Sequence, residues 1–126
     1  YVAVSLDKPR VERIPINADG TAGIAELVTL VPMSVPDGLA FDDEGTLYIS
    51  CYRPDRIWRY REEEGLTILA DDYEGTLISA PTNIAFCGDN LDDLLSSNIG
   101  RWHISRYDLK KIGSPKGAPL NYPNVS

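Results

Sequence analysis

A motif that returns at a nearly constant interval restricts this chain more than any other feature. Pro36-Asp37-Gly38-Leu39-Ala40-Phe41 reappears as Pro81-Thr82-Asn83-Ile84-Ala85-Phe86, 45 residues later. Arg59-Tyr60 reappears as Arg106-Tyr107 after 47 residues, and Arg13, within Arg13-Ile14-Pro15-Ile16, precedes Arg59 by 46. A period of that length, filled with short strands, is the pattern of a β-propeller. A four-stranded antiparallel unit has two faces and cannot bury both alone, so such units stack against their neighbours around an axis.

The runs between the repeats fit that reading. Helical periodicity is weak throughout, and short β-rich stretches alternate with turn residues. Val11 to Ile16 is followed by the turn Asn17-Ala18-Asp19-Gly20, and Glu26 to Val31 returns. Pro36 to Phe41, Leu47 to Tyr52, Arg56 to Tyr60 and Leu66 to Ala70 make one whole unit, with turns at Asp42-Asp43-Glu44-Gly45 and Glu62-Glu63-Glu64-Gly65. The prediction is an all-β chain of about ten strands, with blades or blade remnants at about 1–31, 36–72 and 81–109 and a tail at 110–126. That is two and a half to three blades, short of the roughly 4–8 that close a ring.

The acidic turns carry no calcium signature. None follows the D-x-[DN]-x-[DN]-G pattern with its later Glu. Gly takes positive φ cheaply and Asp bonds its own backbone, which is what tight hairpins need.

Composition narrows the function. Nineteen acidic residues against 12 basic ones give a net charge of −7. That balance argues against nucleic acid and against an anionic membrane surface as partners. No apolar run approaches the roughly 20 residues of a membrane helix. Cys51 and Cys87 are too few for a disulfide framework and lack zinc spacing; they read as two small buried apolar side chains. The chain begins at Tyr1 with no leader-like stretch, which reads as a cut end. A cytoplasmic location is the expectation, with an upstream signal left open.

The usual catalytic arrangements are absent: there is no G-x-S-x-G elbow, no H-E-x-x-H and no phosphate loop. The single histidine, His103, reads as a strand or rim residue beside Trp102. Asp37 stands out by position. It precedes an apolar innermost strand, whose entrance lies at the mouth of a propeller channel, and Thr82 at the equivalent place shows that the repeat does not demand an acid. The plain structural alternative is an Asp that caps the turn after Pro36.

The run Val35-Pro36-Asp37-Gly38-Leu39-Ala40-Phe41-Asp42-Asp43-Glu44-Gly45-Thr46-Leu47-Tyr48-Ile49-Ser50, followed by Cys51-Tyr52 and Arg56-Ile57-Trp58-Arg59-Tyr60, resembles one blade of the gluconolactonase/regucalcin (senescence-marker-protein-like) family. Pro81-Thr82-Asn83-Ile84-Ala85-Phe86-Cys87-Gly88 resembles its next inner strand, and Gly117 to Pro123 resembles the tail of bacterial members. Two departures are visible: Cys87 where a Gly is usual, and Leu94-Leu95-Ser96-Ser97 in place of a more β-branched strand.

The resemblance implies the C-terminal part of a six-bladed propeller that hydrolyses a sugar lactone or related small lactone. It implies one divalent metal ion (Ca, Zn or Mg), with Asp37 as metal ligand and general base. The family's other two protein ligands, a Glu and an Asn, have no matching positions here, so the missing N-terminal blades or a second copy of the chain are the implied partners, beside the lactone itself. The alternative is a non-catalytic propeller of the NHL type acting as a binding module, whose repeat has a similar pattern.

Overall fold

The computed structural model describes residues 1–119. Among them there is no helix; ten strands form three antiparallel sheets. The first sheet holds β1 (Val2–Val4), β2 (Arg10–Arg13) and β3 (Glu26–Leu30). The second holds β4 (Val35–Phe41), β5 (Leu47–Tyr52), β6 (Arg56–Arg61) and β7 (Gly65–Asp71). The third holds β8 (Pro81–Cys87), β9 (Asp93–Asn98) and β10 (Ile104–Asp108). Each sheet is a meander in which sequence neighbours pair. These are consecutive blades of a β-propeller, and the all-β expectation holds.

Strand β5 explains why the sheets stack. Leu47, Ile49 and Cys51 belong to one buried cluster with Val11 and Val31 of the first sheet's side. Tyr48, which points the other way, joins a second cluster with Ile84, Leu94 and Leu109 of the third sheet's side. Side chains alternate between the faces of a strand, so a strand covered on both sides must be apolar at nearly every position. Residues 47–51 are all buried.

The equivalent positions of the repeat occupy equivalent places. Phe41 faces Leu47, and Phe86 faces Leu94. Leu47 pairs with Tyr60, and Leu94 with Tyr107. The first sheet differs from the sequence reading at its start: the three residues Val2-Ala3-Val4 add a strand before Val11. The run from Val11 ends as a strand at Arg13, and Ile16 continues only as a bridge to Ala22 around the Asn17 to Gly20 turn. Three residues carry too little pattern to be recognised, and it is their pairing with β2 that defines them.

A strap formed by residues 116–118 ties the second sheet to the third. Asp43 N–H donates to the Lys116 carbonyl at 2.8 Å, Gly117 N–H to Leu91 at 2.8 Å and Ala118 N–H to Phe41 at 3.0 Å. A Cβ on Gly117 would lie 2.3 Å from the Phe86 side chain, so only glycine fits there. Leu120 to Pro123 of the tail motif lie outside the described residues.

Candidate functional site

Asp37 lies near the start of β4, the edge strand of the second sheet, and is exposed. The pairing of β4 with β5 slips between Pro36 and Leu39, so Asp37 and Gly38 together oppose Ser50. The pairing of β8 with β9 slips at the same place, between Pro81 and Asn83, at Thr82. Bulges of this kind turn a side chain away from its ordinary pleated direction. The backbone thus treats Asp37 and Thr82 alike, and only the side chain makes the second sheet's bulge acidic.

The surroundings hold that bulge firmly. The Gly38 N–H donates to the Ser50 hydroxyl at 3.0 Å, and Ser50, wholly buried, lies within 3.4 Å of the Gly38 carbonyl. A Cβ on Gly38 would lie 2.6 Å from the Asn83 Cα, so the two innermost strands approach as closely as they do because this residue is glycine. Asn83 itself accepts the Ile84 N–H at 2.9 Å. The second and third sheets meet through β4 and β5 against β8. Sequence reasoning singled out Asp37 but missed Ser50 and Asn83, although Asn83 stands 45 residues after Gly38 in the repeat.

Cys51 sits beside this point. Burial pushes its thiol up to about 12; the Ser34 hydroxyl and Arg56 oppose that shift, and the Asp37 carboxylate adds to it. It is the buried apolar residue expected, whereas Cys87 is only half-buried and both are free thiols. His103 lies on the exposed rim just before β10, with Nε2 2.9 Å from the Leu77 carbonyl oxygen.

A family model described as "SMP-30/Gluconolactonase/LRE-like region" matches residues 1–98. The chain belongs to this family. Its membership spans all of the first two sheets and the third as far as β9. The family includes lactonases, which makes a lactonase-like hydrolase the coarse functional class. No curated protein matches the chain.

A divalent ion requires more than Asp37. Calcium takes about six to eight oxygens, and magnesium and zinc also need several ligands. Among the described residues no three His, Cys, Asp or Glu side chains converge. The Asn83 and Ser50 oxygens near Gly38 are engaged with backbone groups. The described residues therefore do not by themselves fit a resident ion.

Proposed function

We propose that this chain contributes one carboxylate, Asp37, to the active site of a sugar-lactone hydrolase. The observation that carries the reading is the bulge at the entrance of β4: it carries an exposed carboxylate, Asp37, where the equivalent bulge of β8 carries Thr82, within a chain that belongs to a family containing lactonases. Asp37 acts as general base. It takes a proton from water as the water oxygen adds to the lactone carbonyl carbon. The tetrahedral adduct then breaks its ring C–O bond, and the departing ring oxygen takes up a proton, leaving the open hydroxy acid. Ser50 and Gly38 act indirectly, by fixing the backbone that carries Asp37.

If an ion (Ca, Zn or Mg) is bound, Asp37 is one of its ligands and further blades or a second copy of the chain supply others. An exposed first sheet supports such a partner: Val2, Leu27 and Leu30 are more than two-fifths exposed, an apolar face that a blade would cover.

The test is hydrolysis of a sugar lactone by a ring that contains this chain. Asp37→Ala lowers turnover by about 10²–10⁴-fold, the range for loss of a general base, with the far-ultraviolet circular dichroism unchanged. Undiminished turnover in a folded Asp37→Ala protein rejects the assignment, and with it favours a binding role.

A further inference from the structure

The three sheets repeat one arginine, on β2, β6 and β10, and only that of the second sheet is left without a carboxylate among the described residues. Arg13 is ion-paired with Glu26, the residue directly across on β3. Arg106 is ion-paired with Asp93 on β9 at 2.8 Å. Arg59 has no carboxylate partner among the described residues. Across from it on β7, where the first sheet has Glu26, stands Thr67. At the place of Asp93, just before Leu94, the second sheet has Thr46 before Leu47. Both carboxylates that neutralise this arginine elsewhere in the fold have become hydroxyls.

The same residues line a cavity of about 460 Å³. Its walls include Thr46, Tyr48, Arg59, Arg61, Thr67 and Ser114, contributed by the second sheet and by the segment after β10. It opens at the β4–β5 and β6–β7 turns, at the far end of the strands from Asp37. Six-residue β5 separates the two ends, about 16 Å at the usual rise per residue. The cavity is thus not part of the site proposed for lactone hydrolysis, and the inference does not depend on it.

The charges within it resolve in one direction. Arg61 is taken by Glu44 at 2.6 Å and also donates to the Thr46 hydroxyl at 2.7 Å. Glu64, the remaining wall carboxylate, is exposed at the rim and acts on Arg61. The buried Asp42 carboxylate behind the wall is occupied by the Glu44 and Thr46 N–H groups and the Tyr48 hydroxyl, at 3.1, 2.8 and 3.3 Å. Arg59 is left as the uncompensated cation. Its Nη1 donates to the Ser114 hydroxyl at 3.2 Å, while its Nε is buried without an acceptor among the described residues. The Thr46 hydroxyl accepts from Arg61, which leaves its own proton to donate, and the Thr67 hydroxyl has no side-chain hydrogen bond among the described residues. A guanidinium fork with hydroxyl donors beside it is the chemistry that holds an oxyanion.

We infer that this cavity binds a small oxyanion, a phosphate or a carboxylate, through Arg59 with Thr46 and Thr67. Isothermal titration of the purified chain with inorganic phosphate and with gluconate, at matched ionic strength in chloride, tests it. At least one of the two binds saturably, and the tighter one tells whether a tetrahedral or a planar anion is preferred. Arg59→Gln weakens that binding at least tenfold, about 1.4 kcal/mol. Thr67→Glu does the same by giving Arg59 the cross-strand carboxylate that Arg13 has in Glu26, and it keeps or raises resistance to urea. That second variant decides the matter if Arg59→Gln is poorly folded. Absence of saturable binding of both anions overturns the inference, as does binding that Thr67→Glu leaves unchanged.

Discussion

Strands β5 and β9 hold the same place in consecutive sheets and are built to different rules. In β5, Leu47, Tyr48, Ile49, Ser50 and Cys51 are all buried, because the first sheet covers one face and the third sheet the other. In β9, Leu94, Ser96 and Asn98 are buried while Leu95 is half-buried and Ser97 is exposed. One covered face asks for alternation; two ask for a continuous apolar run. The substitution of Leu94-Leu95-Ser96-Ser97 for a more β-branched strand therefore falls on the sheet that these residues leave open on one side. Polar groups inside it are still satisfied: the Ser96 hydroxyl lies 3.1 Å from that of Tyr107, and the Asn98 amide donates to the Ser105 hydroxyl at 2.9 Å.

The sharpest way to break this comparison uses the two cysteines, one in the middle sheet and one in the third. Burial first, with a contribution from Asp37, pushes Cys51 up to about 12. An ordinary thiol titrates near 8.5, so at neutral pH Cys51 carries about 10³-fold less thiolate than such a group. Alkylation with iodoacetamide, followed by peptide mass spectrometry, modifies half-buried Cys87 and leaves Cys51 intact in the folded chain. Equal labelling of both would mean that the second sheet is not enclosed as described.

Next in size is truncation of the two strands. Ile49→Ala opens a cavity in a strand covered on both faces and costs about 2–5 kcal/mol. Leu95→Ala, at a half-buried position of β9, costs about 1 kcal/mol or less. Urea denaturation of both variants measures the gap, and similar losses would place the third sheet in a fully covered environment.

The seam between the two sheets gives a smaller effect. Gly38→Ala forces a methyl to within 2.6 Å of the Asn83 backbone, an overpacking that costs about 1–3 kcal/mol. The same change at Gly20 meets nothing within 4 Å and is strained only by its φ of +82°. Gly38→Ala also shifts the backbone that carries Asp37, and under the proposed role of Asp37 lactone turnover then falls beyond what the loss of stability explains.

The smallest effect is the pH response of the connection between these sheets. The Asp72 carboxylate accepts the N–H groups of Ile78, Leu77 and Thr76, which hold it down to about 2. A depressed carboxylate stabilises the fold above its ordinary value near 3.8, and that contribution disappears as pH falls toward 2. Acid titration followed by hydrogen exchange shows the 72–79 segment opening within that window. Asp72→Asn leaves the segment less protected at neutral pH and flattens its response to acid; an unchanged profile contradicts the capping role.

Much of this architecture is legible in the residues because each signal is local or periodic. The run of β5, apolar but for Ser50, calls for cover on two sides, the Asp-Gly and Glu-Gly pairs place the hairpins, and the return of Pro36 to Phe41 at Pro81 announces stacked units. Other features exist only once the chain is folded. Strand β1 is three residues that acquire a structure by pairing with β2. The bulge at Asp37 depends on register with β5, the glycine at 38 matters because Asn83 comes within touching distance, and the isolation of Arg59 appears only when its neighbours on β7 and β9-equivalent positions are aligned across three sheets. Propensity and period act along the chain. Register, close approach and charge pairing act between segments tens of residues apart, and these the tertiary structure alone decides.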